Sequence, residues 1–511
     1  MPMPTPTSPA RAAPASMSRH DTAWLLGGLA LWLLATLWVR PLMLPDEGRY
    51  VGVAYAMLHG DALVPRLHGL PYFHKPPLMY WIDAVAMALF GVHEAAARLA
   101  PAIGAWLMGA AIFLDLRSRL GLREAAIALG VLATTPFFFI GGQFANLDML
   151  VAGLVTAAIV LGARSVEAPD ARSARRAAMA AWAFAGLAVL AKGLIGIVLP
   201  GLVLLPWLLA QRRARAVLRL LDPLALGVAA LIVLPWFTAM ALRFPGFLDY
   251  FFLEQHVRRY AQSGFNNVQP FWFFAPVMLL LTLPWSPWLI DWMSASLRPH
   301  LRTTNAPDAP VALYAWWVVA VLAFFSLPQS KLVGYALPAL GPFGALAGLA
   351  VARGRAWRWL LPASALGCVA VVAGIAWHDD GSVRELARTL RAQRQAGERV
   401  VLVADAHFDV PFYARLDDAP LVLLDWDDPS IAHRDDWRKE LHDAARFDPA
   451  AAARVLVKPA ELAQAVCGQR AVWFVAPAAW QPPEAIGPAR QVHVSARASL
   501  WQATAPRSAC R

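Results

Sequence analysis

The sequence predicts an all-α polytopic membrane domain of about 11 helices followed by a C-terminal α/β domain outside the bilayer. Three observations predict it. The chain has 511 residues, 59% of them hydrophobic and 15% charged, where a soluble globular protein carries roughly a quarter charged residues. Apolar runs long enough to span a bilayer recur through the first three quarters of the chain, separated by short charged loops. From about residue 378 the runs give way to alternating helix-like and strand-like segments.

In chain order, residues 1–20 are rich in Pro, Ala and Ser and read as a disordered cytoplasmic tail, not a cleaved signal peptide. The membrane domain then covers 21–377. Its apolar runs lie near 22–40, 97–115, 125–142, 147–163, 177–191, 193–210, 223–242, 271–290, 311–327, 332–351 and 358–376. Arginines collect in alternate loops: Arg117, Arg119 and Arg123; Arg164, Arg172, Arg175 and Arg176; Arg212, Arg213, Arg215 and Arg219; Arg298 and Arg302; Arg353, Arg355 and Arg358. The positive-inside rule makes these loops cytoplasmic, so the N-terminus is inside and residues 378–511 are outside, with the first outer loop at 41–96. In that loop 50–58 and 78–90 read as short interfacial helices. In the C-terminal domain a helix is expected over 382–397. Strands are expected at Val400–Ala404, Leu421–Leu424, Val472–Val475 and within 491–503.

The net charge of +11 does not point to nucleic acid, because the arginines occupy short loops between spans instead of one folded basic face. Of the three cysteines, Cys368 falls in an apolar run, while Cys467 and Cys510 lie in the exported region, where they either pair or stand as separate thiols.

The outer loops carry few charges, and those few recur in one pattern. Asp46, Glu47, Arg49 and Tyr50 follow the first span, then His74, Lys75 and the pair Pro76-Pro77. Asn146 and Asp148 open the fourth run, Lys192 sits between two runs, Glu254, His256, Arg258 and Arg259 share a loop, and Lys331 and Tyr335 begin the tenth run. An isolated acid–cation pair beside a membrane reads as a juxtamembrane salt bridge. Repetition at one face suggests a site, since charges in hydrocarbon cost about 2.5–3.5 kcal/mol at mid-bilayer and usually face a cavity. Fixed Lys, Arg and Tyr donors suit a phosphate leaving group, and an adjacent carboxylate suits a general base toward an acceptor hydroxyl. His74, His256 and Glu47 or Glu254 are also candidates for a divalent metal, at a spacing that is not diagnostic.

The segments PDEGRY, GLPYFHKPPLMYW, FGVHEAAARL, ANLDM, LAKG and SKLVGYALPALGP together resemble the polyprenyl-phosphate-dependent glycosyltransferases of the GT-C class. Within that class they are similar to the group of the aminoarabinose transferase of lipid A modification and, more distantly, to protein O-mannosyltransferases. The resemblance covers most of 22–350 and is much weaker beyond. It implies a GT-C-like fold in a bacterial inner membrane, a polyprenyl-phosphate-sugar donor, and an extracytoplasmic acceptor that is lipid A, another envelope glycan or lipid, or a protein. It makes Asp46 the catalytic aspartate, with Arg49 and Tyr50 lining the cavity. Lys75 would bind the carrier phosphate, Asp148 would be a second functional acid, His256 and Arg259 would contact metal and phosphate, and Tyr335 would lie at the phosphate site. Where the family has Glu-Lys-Pro-Pro this chain has His74-Lys75-Pro76-Pro77. That glutamate helps bind a metal in the family. Histidine is a competent ligand, so the resemblance leaves a divalent ion open, with His74 and His256 as its ligands.

Other residues take plainer readings. His59, His68 and His93 read as surface or capping residues, Arg98 as a helix anchor, Asp83 and Glu94 as solvated or helix-facing charges, and Trp285 and Trp288 as an aromatic belt. A lipid-linked sugar transporter is the alternative function. It calls for polar groups through the midplane and repeat symmetry between halves, and the polar groups here cluster at one face.

Overall fold

A computed structural model describes residues 19–258, 266–297, 309–378 and 382–504. Most of the expected 1–20 tail, the Arg298 and Arg302 loop, Arg259 and Cys510 therefore lie outside the described residues, as do the side chains of His256 and Arg258.

Every expected apolar run is helical. The first helices are α1 (Arg19–Leu34), α2 (Asp46–His59), α3 (Leu78–Phe90), α4 (Leu99–Leu120), α5 (Leu122–Ala133), α6 (Pro136–Gly141) and α7 (Leu147–Glu167). They are followed by α8 (Ala171–Lys192), α9 (Ile195–Ala210), α10 (Val217–Leu220) and α11 (Pro223–Arg243). Further helices run over Phe274–Leu281, Ser286–Leu297, Ala309–Ser326, Leu340–Ala352 and Trp357–Trp377. Among the described residues six helices are long and apolar enough to cross a membrane alone, and a seventh span results if the pair Phe274–Leu281 and Ser286–Ser294, bent by 113°, counts as one. The difference from the expected 11 lies in broken and short elements. Pro136 splits one run into α5 and α6, and α9 has only 16 residues. At 1.5 Å per residue such a helix covers about 24 Å of a roughly 30 Å hydrocarbon layer.

The bundle packs closely around α7, which is buried along almost its whole length. A Cβ on Gly153 would sit 1.9 Å from the carbonyl oxygen of Gly104, so α4 and α7 touch backbone to backbone. The 21 residues of α7 hold its ends about 30 Å apart. At its C-terminal end Asp115 takes Arg119 at 2.9 Å, Arg164 at 3.2 Å and the Tyr314 hydroxyl at 2.5 Å, and Arg119 also meets Glu167 at 2.6 Å. The opposite end carries Asp148. Because α8 runs back, its last residue Lys192 returns to that same end.

The loop between the first span and α4 contains α2, a two-stranded antiparallel hairpin of β1 (Arg66–Leu67) and β2 (Leu70–Pro71), and α3. The C-terminal domain is a six-stranded sheet of order β5-β4-β3-β6-β8-β7. Its strands are β3 (Arg399–Val403), β4 (Leu421–Leu423), β5 (Leu456–Val457), β6 (Val472–Pro477), β7 (Ala489–Val494) and β8 (Ala498–Ala503). The first four in spatial order are parallel, and β8 and β7 add antiparallel. The expected strands match, and the short β5 was not anticipated. This domain sits directly on that first loop. A Cβ on Gly52 of α2 would meet the Phe408 carbonyl oxygen at 3.0 Å, and Tyr413 accepts a hydrogen bond from the Leu42 amide at 2.8 Å. Cys467 is disulfide-bonded, whereas Cys368 is a buried free thiol.

Candidate active site

After α1 a turn and a short irregular segment lead into α2, whose first turn carries two acids where a helix N-terminus favours negative charge. Successive helical residues point about 100° apart, so the two have different fates. Glu47 is fully buried. Arg98 donates to it through Nε at 2.8 Å and Nη2 at 3.0 Å, Arg40 reaches both its oxygens, and the amides of Met43 and Ala145 add 2.8 and 2.7 Å bonds. Burial alone raises a carboxyl pKa. Here the two guanidiniums overcome it and hold Glu47 at about 2. Arg98 spends its remaining donors on the carbonyls of Leu37, Arg40 and Pro41 at 2.7–2.8 Å. The knot therefore ties the end of the first helix, α2 and the start of α4 together, which bears out Arg98 as an anchor and leaves Glu47 unavailable as a metal ligand.

Asp46 faces outward and is 35% exposed, with Oδ1 2.5 Å from Arg49 Nη2. Arg49 is more enclosed. Its other terminal nitrogen bonds Glu440, on the helix Trp437–Ala445 of the C-terminal domain, and its guanidinium lies 5.3 Å from the centroid of the Tyr50 ring. The second oxygen of Glu440 accepts from the Tyr72 hydroxyl at 3.2 Å. Tyr50 is buried beside Tyr80, with ring centroids 6.3 Å apart. Burial, opposed by Arg49 and reinforced by Asp46, Asp148 and Glu440, raises its phenol pKa. Tyr50 thus lies within electrostatic reach of both acid groups of the site.

The second group gathers at the ends of α7 and α8. Asn146 caps α7 by accepting from the Asp148 amide at 3.0 Å, which fixes Asp148 in the first turn. Lys192 donates to Asp148 and lies 4.6 Å from the centroid of the Tyr335 ring. A Cβ at Gly334 would fall 2.3 Å from Asp148 Oδ2, so a larger residue there would displace the Asp148 carboxylate.

Lys75 is half-buried. Its neighbour His74 stacks on Tyr72 at 4.9 Å and meets Tyr250 edge-on at 5.8 Å. The backbone of His256 belongs to the helix Asp249–Arg258. Among the described residues no three His, Cys, Asp or Glu side chains gather, and the side chain of His256, one of the two expected metal ligands, lies outside them. Glu47 is saturated, and Glu254 pairs with Arg446 at 3.0 Å.

Two plainer readings, those of His68 and Trp285, need correction, while Asp83 and Glu94 each face a helix end as expected. His68 is buried, donating Nε2–H to the Ala406 carbonyl at 2.9 Å, and desolvation lowers its pKa to about 4. Asp83 is fully buried, where it accepts from the Ala100 amide at 2.9 Å to cap α4. Glu94 meets Arg384 of the C-terminal domain at 3.5 Å, and Trp285 is fully buried and so belongs to no belt. Glu440 is the site residue that sequence reasoning missed, and Lys192 was seen but given no role.

The bundle of apolar helices, the two helices of the first loop and the appended sheet domain define a polytopic membrane protein with a C-terminal α/β domain. The profile of the dolichyl-phosphate-mannose-protein mannosyltransferase family matches residues 74–240. The undecaprenyl phosphate-alpha-4-amino-4-deoxy-L-arabinose arabinosyl transferase of Pseudomonas paraeruginosa is 35% identical over 345 residues, covering 66% of this chain and 61% of that protein. Its counterpart from Aeromonas salmonicida is 33% identical over 361 residues, covering 68% of this chain and 64% of that protein. These matches therefore span less than two thirds of the length of the curated relatives. The crystal structure of ArnT from Cupriavidus metallidurans bound to undecaprenyl phosphate has the same fold, with TM-score 0.79 and 24% identity over 95% of this chain and 98% of that one. The chain is similar to polyprenyl-phosphate glycosyltransferases of the GT-C class.

Proposed function

We propose that this protein transfers a sugar from a polyprenyl-phosphate carrier to an extracytoplasmic acceptor at the surface of a bacterial inner membrane. The observation that carries the reading is the convergence of two groups at one end of the bundle, Asp46 with Arg49 on α2 and Asp148 with Lys192 and Tyr335 at the ends of α7 and α8. A lipid-linked phosphate enters such a site from the bilayer, while a soluble face stays open to the acceptor. Asp46 is the carboxylate exposed enough to take a proton from an acceptor hydroxyl or to orient it. Lys75, Arg259 and Tyr335 stabilise charge developing on the departing phosphate, and Asp148, held by Lys192, positions sugar or acceptor. The names of the relatives favour a 4-amino-4-deoxy-arabinose donor, with lipid A the first acceptor to test before other glycans or protein. The N-terminus is cytoplasmic, and the site and the C-terminal domain are extracytoplasmic. No step is assigned to a metal. Mass spectrometry of envelope glycolipids and glycoproteins from a deletion strain beside its parent tests the reading. Loss of one glycosylated species, restored by the gene, supports it, and identical profiles speak against it.

A further inference from the structure

The Glu440 carboxylate lies against the first outer loop, 391 residues away in sequence from the arginine it binds. One oxygen takes Arg49 and the other takes the Tyr72 hydroxyl. Its helix is fixed at both ends. Asp436 caps the start by accepting from the Arg438 amide at 2.9 Å, and just past the end Phe447 packs against Phe73 at 5.0 Å and Tyr250 at 5.4 Å. Arg446 adds a contact 4.2 Å from the Tyr250 centroid. Other ion pairs between the domain and the membrane part, Arg66 with Asp448 at 3.4 Å and Arg384 with Glu94 at 3.5 Å, do not involve the proposed catalytic residues. Glu440 differs from these because the cation it holds is the one that also holds Asp46.

We infer that Glu440 is a positioning residue that acts through Arg49, so the C-terminal domain completes the active site. The inference rests on the reading of Asp46 as the catalytic carboxylate. A guanidinium is a planar fork that can serve two carboxylates at once in fixed directions. With Glu440 in place, Arg49 is shared between two carboxylates and Asp46 keeps its orientation. Without the second carboxylate the positive charge falls wholly on Asp46, which becomes a weaker base and pairs more tightly with Arg49.

The test uses the purified full-length protein and a polyprenyl-phosphate-sugar donor, measuring donor affinity, single-turnover rate against pH, and melting temperature. Glu440→Gln is expected to lower the rate roughly tenfold to a hundredfold, the scale of a small misplacement of reacting groups. Donor affinity should stay within about twofold, and the acid limb of the rate profile should move to lower pH. A merely structural ion pair would lower the melting temperature and leave that limb unmoved. If Glu440→Gln cannot be purified folded, Arg49→Lys carries the same test, because an ammonium cannot fork to both carboxylates. It too is expected to lose at least tenfold in rate. A wild-type rate and acid limb in Glu440→Gln, or a wild-type rate in Arg49→Lys, overturns the inference. Asp46→Asn measured alongside separates the two failures. If it is inactive while Glu440→Gln is normal, only the inference falls, and if Asp46→Asn itself transfers normally, the reading of Asp46 falls and the inference with it.

Discussion

Arg98 and Glu47 meet through two hydrogen bonds of 2.8 and 3.0 Å with both side chains fully buried, joining the start of α4 to the start of α2. Removing one partner of such a pair leaves an uncompensated buried charge, at a cost of about 3–5 kcal/mol. Glu47→Gln and Arg98→Met should each lower the melting temperature markedly, or prevent recovery of folded protein in detergent. Arg98→Lys should not rescue, since one ammonium cannot replace the donors that reach Glu47 and three carbonyls. Glu47→Gln melting like wild type would show that the knot is not what holds the loop to the bundle.

Asp46→Asn separates catalysis from packing. The amide keeps the shape of the side chain and loses its charge. Turnover should fall about a hundredfold or more, the usual scale of general acid–base catalysis, with donor affinity little changed. The rival reading, a partly exposed ion pair with Arg49, contributes about 0–1 kcal/mol and predicts near-normal specific activity. Single-turnover transfer and donor binding measured on one preparation decide between them.

Lys75→Ala should weaken donor binding. A charge-assisted bond to phosphate contributes about 1.5–3 kcal/mol, or roughly ten- to a hundredfold in affinity. Tyr335→Phe is a milder change, because it removes the hydroxyl and keeps the ring beneath Lys192. Binding of polyprenyl phosphate to Lys75→Ala as tight as to wild type would remove Lys75 from the carrier site.

Orientation is tested by fusing a reporter active only outside the cytoplasm after residue 390, where activity is expected, and near 170, where none is expected. Activity at the second position alone would put Asp46 and Asp148 on the cytoplasmic face.

The residues that were legible in sequence are those whose role follows from position along the chain. Asp46 and Arg49 stand one helical turn apart, and Asp148 follows a capping Asn, so their local geometry could be anticipated. Glu47 was not separable from Asp46, because only the packing of α4 against the loop decides which of two adjacent acids is buried. Glu440 was invisible for a stronger reason. Nothing in the segment Trp437–Ala445 marks Glu440 out, and its partners, Arg49 and Tyr72, are supplied by docking of the C-terminal domain on the first loop. The eleven runs were read correctly as helices, but Pro136 and the bend before Ser286 are decided by tertiary packing as well as by composition.

Asp409 gives a prediction about pH. It is fully buried where the C-terminal domain meets α2, and a Cβ on Gly48 would lie 3.1 Å from its amide nitrogen. Oδ2 accepts from the Val383 amide and the Ser382 hydroxyl, both at 3.3 Å, while Oδ1 has no hydrogen-bond partner among the described residues. Desolvation raises its pKa to about 7, against the lowering effect of those bonds and with a small further rise from Asp405. The folded state therefore binds a proton that the unfolded chain, with a carboxyl pKa near about 3.9, has already lost. Stability from this group is fully present below about pH 4 and is lost as pH rises through about 7, by an amount on the order of 4 kcal/mol at most. Nearby His407 has a pKa lowered by burial and contributes with the opposite sign, but it is common to wild type and variant. Asp409→Asn cannot ionise and should gain in melting temperature over wild type at pH 8, with the gain shrinking toward pH 5. Melting curves of both proteins at the two pH values supply the measurement. An equal difference at pH 5 and pH 8 would mean that Asp409 does not titrate in this range.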